Sequence, residues 1–239
     1  MTDGTEQNPV SPTGPETAFG GVTSGVWPPP PTLGPPVAIV TPSPFVPVRR
    51  LSRAIVVLLS GDAVMAAVGI AGALLPLSGS SYQAEVAVVA TTRGLLLLGM
   101  GICFLIWTYR LNRNLRAFGV AGVRYAPVWT VAYFFVPILS LYRPYQVFRE
   151  IWQASDPGPA ARTEQAWQNL KSPALLGFWW VSVITVNILD VLSSKSAGDK
   201  SIDVTDNAAG LLSALLALQV VRLVTARQEG TARLLSLLP

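Results

Sequence analysis

The sequence predicts an all-α, polytopic membrane helical bundle: four transmembrane helices, one short Pro-kinked re-entrant or interfacial segment, and a disordered N-terminal tail. Three observations carry this. Of 239 residues, 51% are apolar and only 13% charged, whereas a soluble domain has about 25% charged residues. The mean hydropathy is +0.46. Four apolar stretches are each long enough to cross about 30 Å of hydrocarbon, a distance that takes roughly 20 helical residues. The alternating ten-residue pattern of an outer-membrane barrel is absent from the sequence.

Residues 1–48 form the tail. They hold twelve of the twenty prolines, including Pro28–Pro31, and only three charges, Asp3, Glu6 and Glu16. So many missing backbone donors disfavour helix and sheet, and the sparse apolar surface cannot offset chain entropy. The expectation is a disordered, partly polyproline-II, cytoplasmic segment. No basic stretch followed by a compact apolar run precedes residue 54, so no cleaved signal is expected. Pro28–Pro31 reads first as a solvated spacer and second as a docking site for a protein partner with an aromatic groove.

Residues 49–230 form the membrane domain, followed by a C-terminal tail, 231–239. The spans fall at about 54–77, interrupted only by Asp62; 86–109, interrupted only by Arg93; 173–192, carrying Asp190; and 208–224, with Arg222 near its end. Each is apolar around its full width, unlike a surface helix. The stretch 127–141 (PVWTVAYFFVPILSL) is shorter, would reach only about 22 Å as a straight helix, and is interrupted by Pro137.

The basic residues decide its path. Arg49, Arg50 and Arg53 precede span one, and Arg110, Arg113, Arg116 and Arg124 follow span two. Arg143, Arg149, Arg162 and Lys171 precede span three, and Arg222, Arg227 and Arg233 mark the C-terminal end. If 127–141 does not cross, all of these share one side and only Arg93, Lys195 and Lys200 fall toward the other. Cytoplasmic loops collect Lys and Arg. The expectation is therefore four crossings, both termini cytoplasmic in a bacterial inner membrane, and a dipping segment at 127–141 covered by the bundle, since irregular backbone at that depth needs partners.

On the cytoplasmic face, Arg110, Arg113 and Arg116 alternate with Leu111, Leu115 and Phe118 at helical spacing, giving a basic and an apolar side. Arg143 and Arg149 repeat the theme beside Val147, Phe148, Ile151 and Trp152. The lipid bilayer is the expected partner, and a platform that senses anionic lipid, attracted at about 1 kcal/mol per basic residue, or a protein partner is the second reading of this face. Plain topology determination explains the same pattern without a ligand. Nucleic acid is not an expected partner, because the arginines are tied to membrane boundaries without an interleaved aromatic platform.

Ionisable groups inside spans are costly and mark functional candidates. Counting about 1.5 Å per residue from the cytoplasmic edge puts Asp62 at about 12 Å and Arg93 and Asp190 at about 24 Å. Arg93 is thus expected to reach Asp190, and Asp62 to reach Gln219, with Asn187 nearby. Asp62 either accepts a proton or cation in coupled transport or is a hydrogen-bonded packing residue while Arg93 and Asp190 snorkel outward; packing is the simpler reading. Gly69 and Ala73, and Gly210 and Ala214, make small-xxx-small faces that suit helix packing and, more weakly, a homo-oligomer. Cys103 reads as a small core residue.

With no histidine and one cysteine, histidine acid–base catalysis, metal centres and internal disulfides are not expected. Phosphate-cradling, dinucleotide and nucleophile-elbow motifs do not occur. Asp199, Asp203 and Asp206, assigned to a loop at 193–207, are expected to be solvated rather than to hold a divalent cation. No cofactor and no enzymatic activity are expected.

Three segments carry a resemblance: RLNRNLRAFG at 110–119, APVWTVAYFFVPILSLYRPYQVFREIWQAS at 126–155, and VVRLVTARQE at 220–229. With these the chain resembles a bacterial membrane family, domain of unknown function 4328, over most of residues 50–230. The motif positions are Asn112, Pro127, Trp129, Pro137, Arg143, Pro144 and Gln228. The resemblance implies a multi-span protein, often with a proline-rich or otherwise disordered N-terminal extension, and implies no activity, substrate or catalytic residue. Within it, Pro137 and Pro144 are expected to bend the dipping segment and Arg143 to hold it at the headgroups. The functional expectation is a non-enzymatic scaffold or regulator acting through its basic cytoplasmic face. The alternative is a small proton- or cation-coupled transporter or channel component using Asp62.

Overall fold

The computed structural model of the chain describes residues 44–75, 79–156, 158, 166–195 and 199–237. The proline-rich residues 1–43, on which the expectation of a disordered tail chiefly rests, lie outside the described residues, as does Arg162. The described residues form helices α1 (Arg49–Leu74), α2 (Ser80–Ala117), α3 (Pro127–Ala132), α4 (Arg143–Ala154), α5 (Ala174–Lys195) and α6 (Lys200–Leu234). Single 3-10 turns lie at Leu139–Leu141 and Ala166–Asn169, and there is no strand among them. Four helices, α1, α2, α5 and α6, are long and apolar enough to cross a membrane, and the protein is a multi-pass membrane protein.

The helices overrun the apolar stretches that announce them. α2 has 38 residues and α6 has 35, about 57 and 52 Å. Hydropathy falls where arginines and aspartates begin, but Arg, Leu, Asn and Asp do not stop a helix; end chemistry does. α2 stops at Gly119, whose φ of +73° is free of Cβ strain. The Gly119 amide donates to the Arg116 carbonyl and the Val120 amide to that of Leu115, the two bonds of a Schellman end. α6 begins where the Asp199 carboxylate accepts the Ser201 amide at 2.9 Å, an N-cap nine residues before the expected start of span four.

α1 lies between α2 and α6, and α5 packs on α6. Small residues set these approaches. Gly69 faces the Asn207 side chain, Gly72 the Glu85 carboxylate and Gly210 the Arg93 guanidinium. The small-residue stripes thus seat polar side chains within the bundle, where lipid supplies no hydrophobic drive and close contact must substitute.

The apolar core sits at the end where α1 begins and α2 and α6 finish. Trp107, Leu111 and Leu115 of α2, Val147, Phe148 and Ile151 of α4, Leu176 of α5, and Val220 and Val224 of α6 are fully buried there. α4 lies across this end with its apolar side inward. The apolar side of α4, and Leu111, Leu115 and Phe118 of α2, therefore face protein rather than lipid headgroups. Farther along the spans, Val64, Leu95, Leu98, Ile102 and Leu212 are exposed, the surface expected to meet acyl chains.

Phe45 and Val48, expected to belong to the tail, pack into this core. Val48 is fully buried and the Phe45 ring stacks on Phe118 at 5.7 Å. The Asn114 amide acts as a strand partner in miniature. It donates to the Val46 carbonyl and accepts from the Val46 amide, both at 3.0 Å, so both polar groups of that backbone unit are satisfied despite the flanking prolines.

Stretch 127–141 is not a span. Pro127 opens α3 and Pro144 opens α4, each in the first turn, where a missing amide donor leaves nothing unpaired. Between them the chain turns at Tyr133–Ile138. The bundle covers this stretch only in part: Pro127 and Thr130 are buried and Phe134 packs on Phe104 and Trp180, whereas Val128, Trp129, Phe135 and Ile138 are 55–75% exposed. The turns also bond in part to themselves. The amides of Phe134, Phe135 and Ser140 donate to the carbonyls of Val131, Ala132 and Val136, and the Ser140 hydroxyl donates to the Pro137 carbonyl. These bonds satisfy part of the backbone locally, and the apolar side chains of Val128, Phe135 and Ile138 face outward, as suits contact with lipid.

Candidate functional site

Two features stand out: a polar cluster within the spans and a basic end below them. The cluster is built on α1 and α2. Asp62 lies mid-way along α1, thirteen residues after Arg49 and twelve before Leu74. Arg93 lies thirteen residues after Ser80 on α2. Counted from the hairpin that joins the two helices, both are about 18–20 Å down. The Arg93 Nε accordingly donates to Asp62 Oδ1 at 3.0 Å, with side-chain exposures of 12% and 7%.

This corrects the expected pairing. Taking Tyr109 as the membrane edge placed Arg93 well above Asp62, whereas α2 runs on to Ala117 and the hairpin sets the register. Gln219 is exposed rather than beside Asp62, and Asn187 folds its amide back onto the Val183 carbonyl at 2.8 Å. Arg93 does not snorkel outward. Its Nη1 donates to Asn207 Oδ1 at 3.0 Å, and the Asn207 amide donates to the Asp203 carbonyl. Asp190 takes its place beside Asp206, on which Arg93 and Asp203 also act.

Asp203, Asp206 and Asn207 are the residues that the sequence reading missed, because they were assigned to a loop. Placed on α6, they recur at helical spacing on one face. Asp203 accepts from the Tyr82 hydroxyl at 2.6 Å, and Lys200 lies 4.6 Å from the centre of the Tyr82 ring. Asp206 is 9% exposed, and its Oδ1 has no hydrogen-bond partner among the described residues. The capping aspartate at 199 was the available signal. Its carboxylate also accepts from the Ser201 hydroxyl, and these bonds hold its pKa below the ordinary value. No group of three or more His, Cys, Asp or Glu suited to a metal ion occurs among the described residues.

A cleft of about 820 Å³ opens between α2 and α5 above this cluster's partners. Its polar part holds Asp62, Arg93, Asp190 and Asp206. Its opposite part is apolar, ending on Phe104, Phe134, Trp179 and Trp180.

At the basic end, Arg110, Arg113, Arg116 and Arg149 form no ion pair among the described residues, and Arg116 and Arg149 are exposed. Arg143 behaves differently. Its Nη1 donates to the Tyr125 hydroxyl and to Gln146 Oε1 at 3.3 and 3.1 Å. Its guanidinium carbon lies 5.3–6.0 Å from the ring centres of Tyr125, Tyr133 and Tyr142. Arg143 therefore ties α4 to the α3 segment through aromatic faces and is not part of an open basic surface. Trp129 is exposed against Tyr133, its ring 5.9 Å away.

Behind the basic surface runs a buried hydrogen-bonded hub. Gln228 is fully buried; its Nε2 donates to the Leu111 carbonyl at 2.9 Å and to Ser155 Oγ at 3.1 Å. Its Oε1 accepts from Asn114 Nδ2 at 3.3 Å. Thr231 Oγ1 donates to the Ser155 carbonyl, and Arg227 pairs with Asp156 and donates to the Trp152 carbonyl. Gln228 thus locks α2, α4 and α6 together. Glu150, 5% exposed, accepts the amides of Arg124 and Tyr125 at 3.2 Å each. Its burial outweighs those bonds and the Arg124 charge, and its pKa is raised. Asn112 is 1% exposed with both amide atoms unpartnered among the described residues.

The motif positions therefore divide. Gln228, Arg143 and Pro144 bear on α4, Pro127 opens α3, and Asn112 is buried on α2. The profile of a known family, "Domain of unknown function (DUF4328)", matches residues 73–228, a range running from the end of α1 to the Gln228 hub. No curated protein and no solved structure matches the chain. A bundle of four apolar helices, a capped basic end and this match over well over half its length together place the chain: it belongs to the DUF4328 family.

Proposed function

We propose that the protein is a non-enzymatic scaffold or regulator of a bacterial inner membrane, with both termini cytoplasmic, acting through its basic end. The observation that carries this reading is the division of labour along α2 and α4. Leu111, Leu115, Val147 and Ile151 are fully buried, while Arg113, Arg116 and Arg149 point away from that core without carboxylate partners among the described residues. Guanidiniums held on a rigid cap beside a bilayer are suited to anionic headgroups, which they bind by bidentate, charge-assisted hydrogen bonds. The proline-rich tail starts from the same end, because Val46 is fastened to Asn114, and offers a second attachment for a protein partner.

The test is lipid retention by the full-length protein purified in neutral detergent, read by native mass spectrometry. Arg113, Arg116 and Arg149 replaced together by Gln are expected to strip anionic lipid while leaving the thermal midpoint within a few degrees. Unchanged retention removes the reading. Deleting residues 1–43 is expected to change which proteins are crosslinked in native membranes without changing insertion.

The second reading, coupled transport through Asp62, draws on the fact that Asp62 lines the cleft. It predicts proton or cation flux in proteoliposomes that Asp62→Asn abolishes. No flux from protein shown to be folded discards it.

A further inference from the structure

The five residues before α1 read Pro-Phe-Val-Pro-Val at 44–48, and they are fastened to the same hydrogen-bonded hub that holds α4. We propose that residues 44–48 are a strap that controls α4: a protein that takes hold of the strap loosens the α4 end through Asn114 and Gln228.

The strap's own chemistry comes first. Pro47 confines Val46 to an extended backbone, in which the amide and carbonyl of one residue point the same way. Asn114 meets them with one acceptor and one donor. Its Oδ1 accepts from the Val46 amide and its Nδ2 donates to the Val46 carbonyl, both at 3.0 Å. Phe45 covers Phe118, which is left 5% exposed, with the ring centres 5.7 Å apart. Val48, the N-cap of α1, is fully buried. Pro44 and Pro47 are exposed. The strap therefore lies at the surface with one side turned inward, where a partner can grip it.

From the strap a relay runs into the core. The Asn114 Nδ2 carries two hydrogens, and it also donates to Gln228 Oε1, at 3.3 Å. Gln228 Nε2 spends its own two on the Leu111 carbonyl and on Ser155 Oγ. Ser155 is the C-cap of α4. Three side chains thus connect Val46 to the end of α4, and all three residues are 0% exposed. With the strap away, Asn114 Oδ1 loses its donor and Nδ2 one of its acceptors, while water enters where Phe45 lay. A buried amide left short of bonds is costly. Asn114, no longer fixed by two bonds to one backbone unit, turns toward that water, and Gln228 Oε1 loses its donor. Gln228 then holds Ser155 less firmly. Thr231 on the Ser155 carbonyl and Arg227 on Asp156 remain, so the α4 end loosens rather than unfolds. By linkage, loosening α4 weakens the hold on the strap by the same factor.

The measurement is amide hydrogen exchange, read by mass spectrometry on full-length protein in nanodiscs of neutral lipid. The probe is an antibody fragment selected against the linear peptide 38–46, which must peel Phe45 and Val46 from the bundle to bind. At saturation, the peptide covering the α4 end, 150–156, is expected to exchange at least fivefold faster. Phe45→Ala with Val46→Pro, which removes the ring and the amide, is expected to do the same without the fragment. Val46→Ala keeps both backbone bonds and is expected to leave exchange unchanged. In the reverse direction, Ser155→Ala is expected to tighten fragment binding at least fivefold. A saturated complex whose α4 end stays protected overturns the proposal. So does an unchanged fragment affinity in Ser155→Ala, or a double variant whose faster exchange is confined to the strap and the first turn of α1. No arm reads lipid retention, so this proposal and the basic-end reading fail separately.

Discussion

Replacing Asp62 by Asn tests whether the intramembrane pair is structural. The pair is close, 3.0 Å, and nearly enclosed, with side-chain exposures of 12% and 7%. At an effective dielectric of about 20, two unit charges at that separation attract by roughly 5–6 kcal/mol before desolvation is counted. Removing one partner strands the other. Arg93 would keep only Asn207 and the field of Asp206, and breaking a buried pair destabilises by about 3–5 kcal/mol. For a chain of this size each kcal/mol moves the thermal midpoint by about 2–4 °C, so a fall of about 6–20 °C is expected. Removing both charges should behave differently: Asp62→Leu with Arg93→Leu leaves no unpaired ion and is expected to regain most of the loss. The assay is thermal unfolding in neutral detergent, followed by fluorescence-detected size exclusion. An unshifted Asp62→Asn midpoint, or a double variant worse than either single one, refutes the reasoning.

Other positions give sharper contrasts. Gln228→Leu leaves the Leu111 carbonyl, Ser155 Oγ and Asn114 Nδ2 each short of a bond, and at about 1–3 kcal/mol per unsatisfied buried group the loss should exceed about 2 kcal/mol; chemical denaturation in mixed micelles measures it. Asn112→Leu should go the other way, raising the midpoint, because both amide atoms of Asn112 are buried without partners; a lowered midpoint would show that the amide is satisfied. Glu150 titrates above its ordinary 4.5, so the folded state binds its proton more tightly than the unfolded state does. Its contribution therefore makes stability fall as pH rises from 4.5 through the raised value. Glu150→Gln should flatten that slope in midpoint-against-pH curves, and an unchanged slope would place its origin elsewhere.

The spans were legible because lipid imposes a simple rule, about twenty apolar residues without a polar side. Helix ends were less legible. The Schellman end at Gly119 and the cap at Asp199 are both written in the sequence, but hydropathy hides them where arginine and aspartate begin. The pairing of Asp62 with Arg93 was misjudged for the same reason, since register follows from the hairpin and the true helix lengths. Ionisable residues inside apolar stretches did point to the cluster, although Gln219 had no part in it and Asn207 was missed. The α4 segment misled in another way. Arginines beside Val, Phe, Ile and Trp describe an amphipathic helix on lipid and one docked on protein equally well, and only the tertiary partner distinguishes them.

The arginines crowd one end of the bundle because α1, α2, α5 and α6 cross while 127–141 does not. Paired reporters, one active only in the cytoplasm and one only outside it, fused after Pro239 and inserted at Ala197, measure this directly. The account predicts cytoplasmic activity at Pro239 and outside activity at Ala197. Outside activity at Pro239 would contradict it.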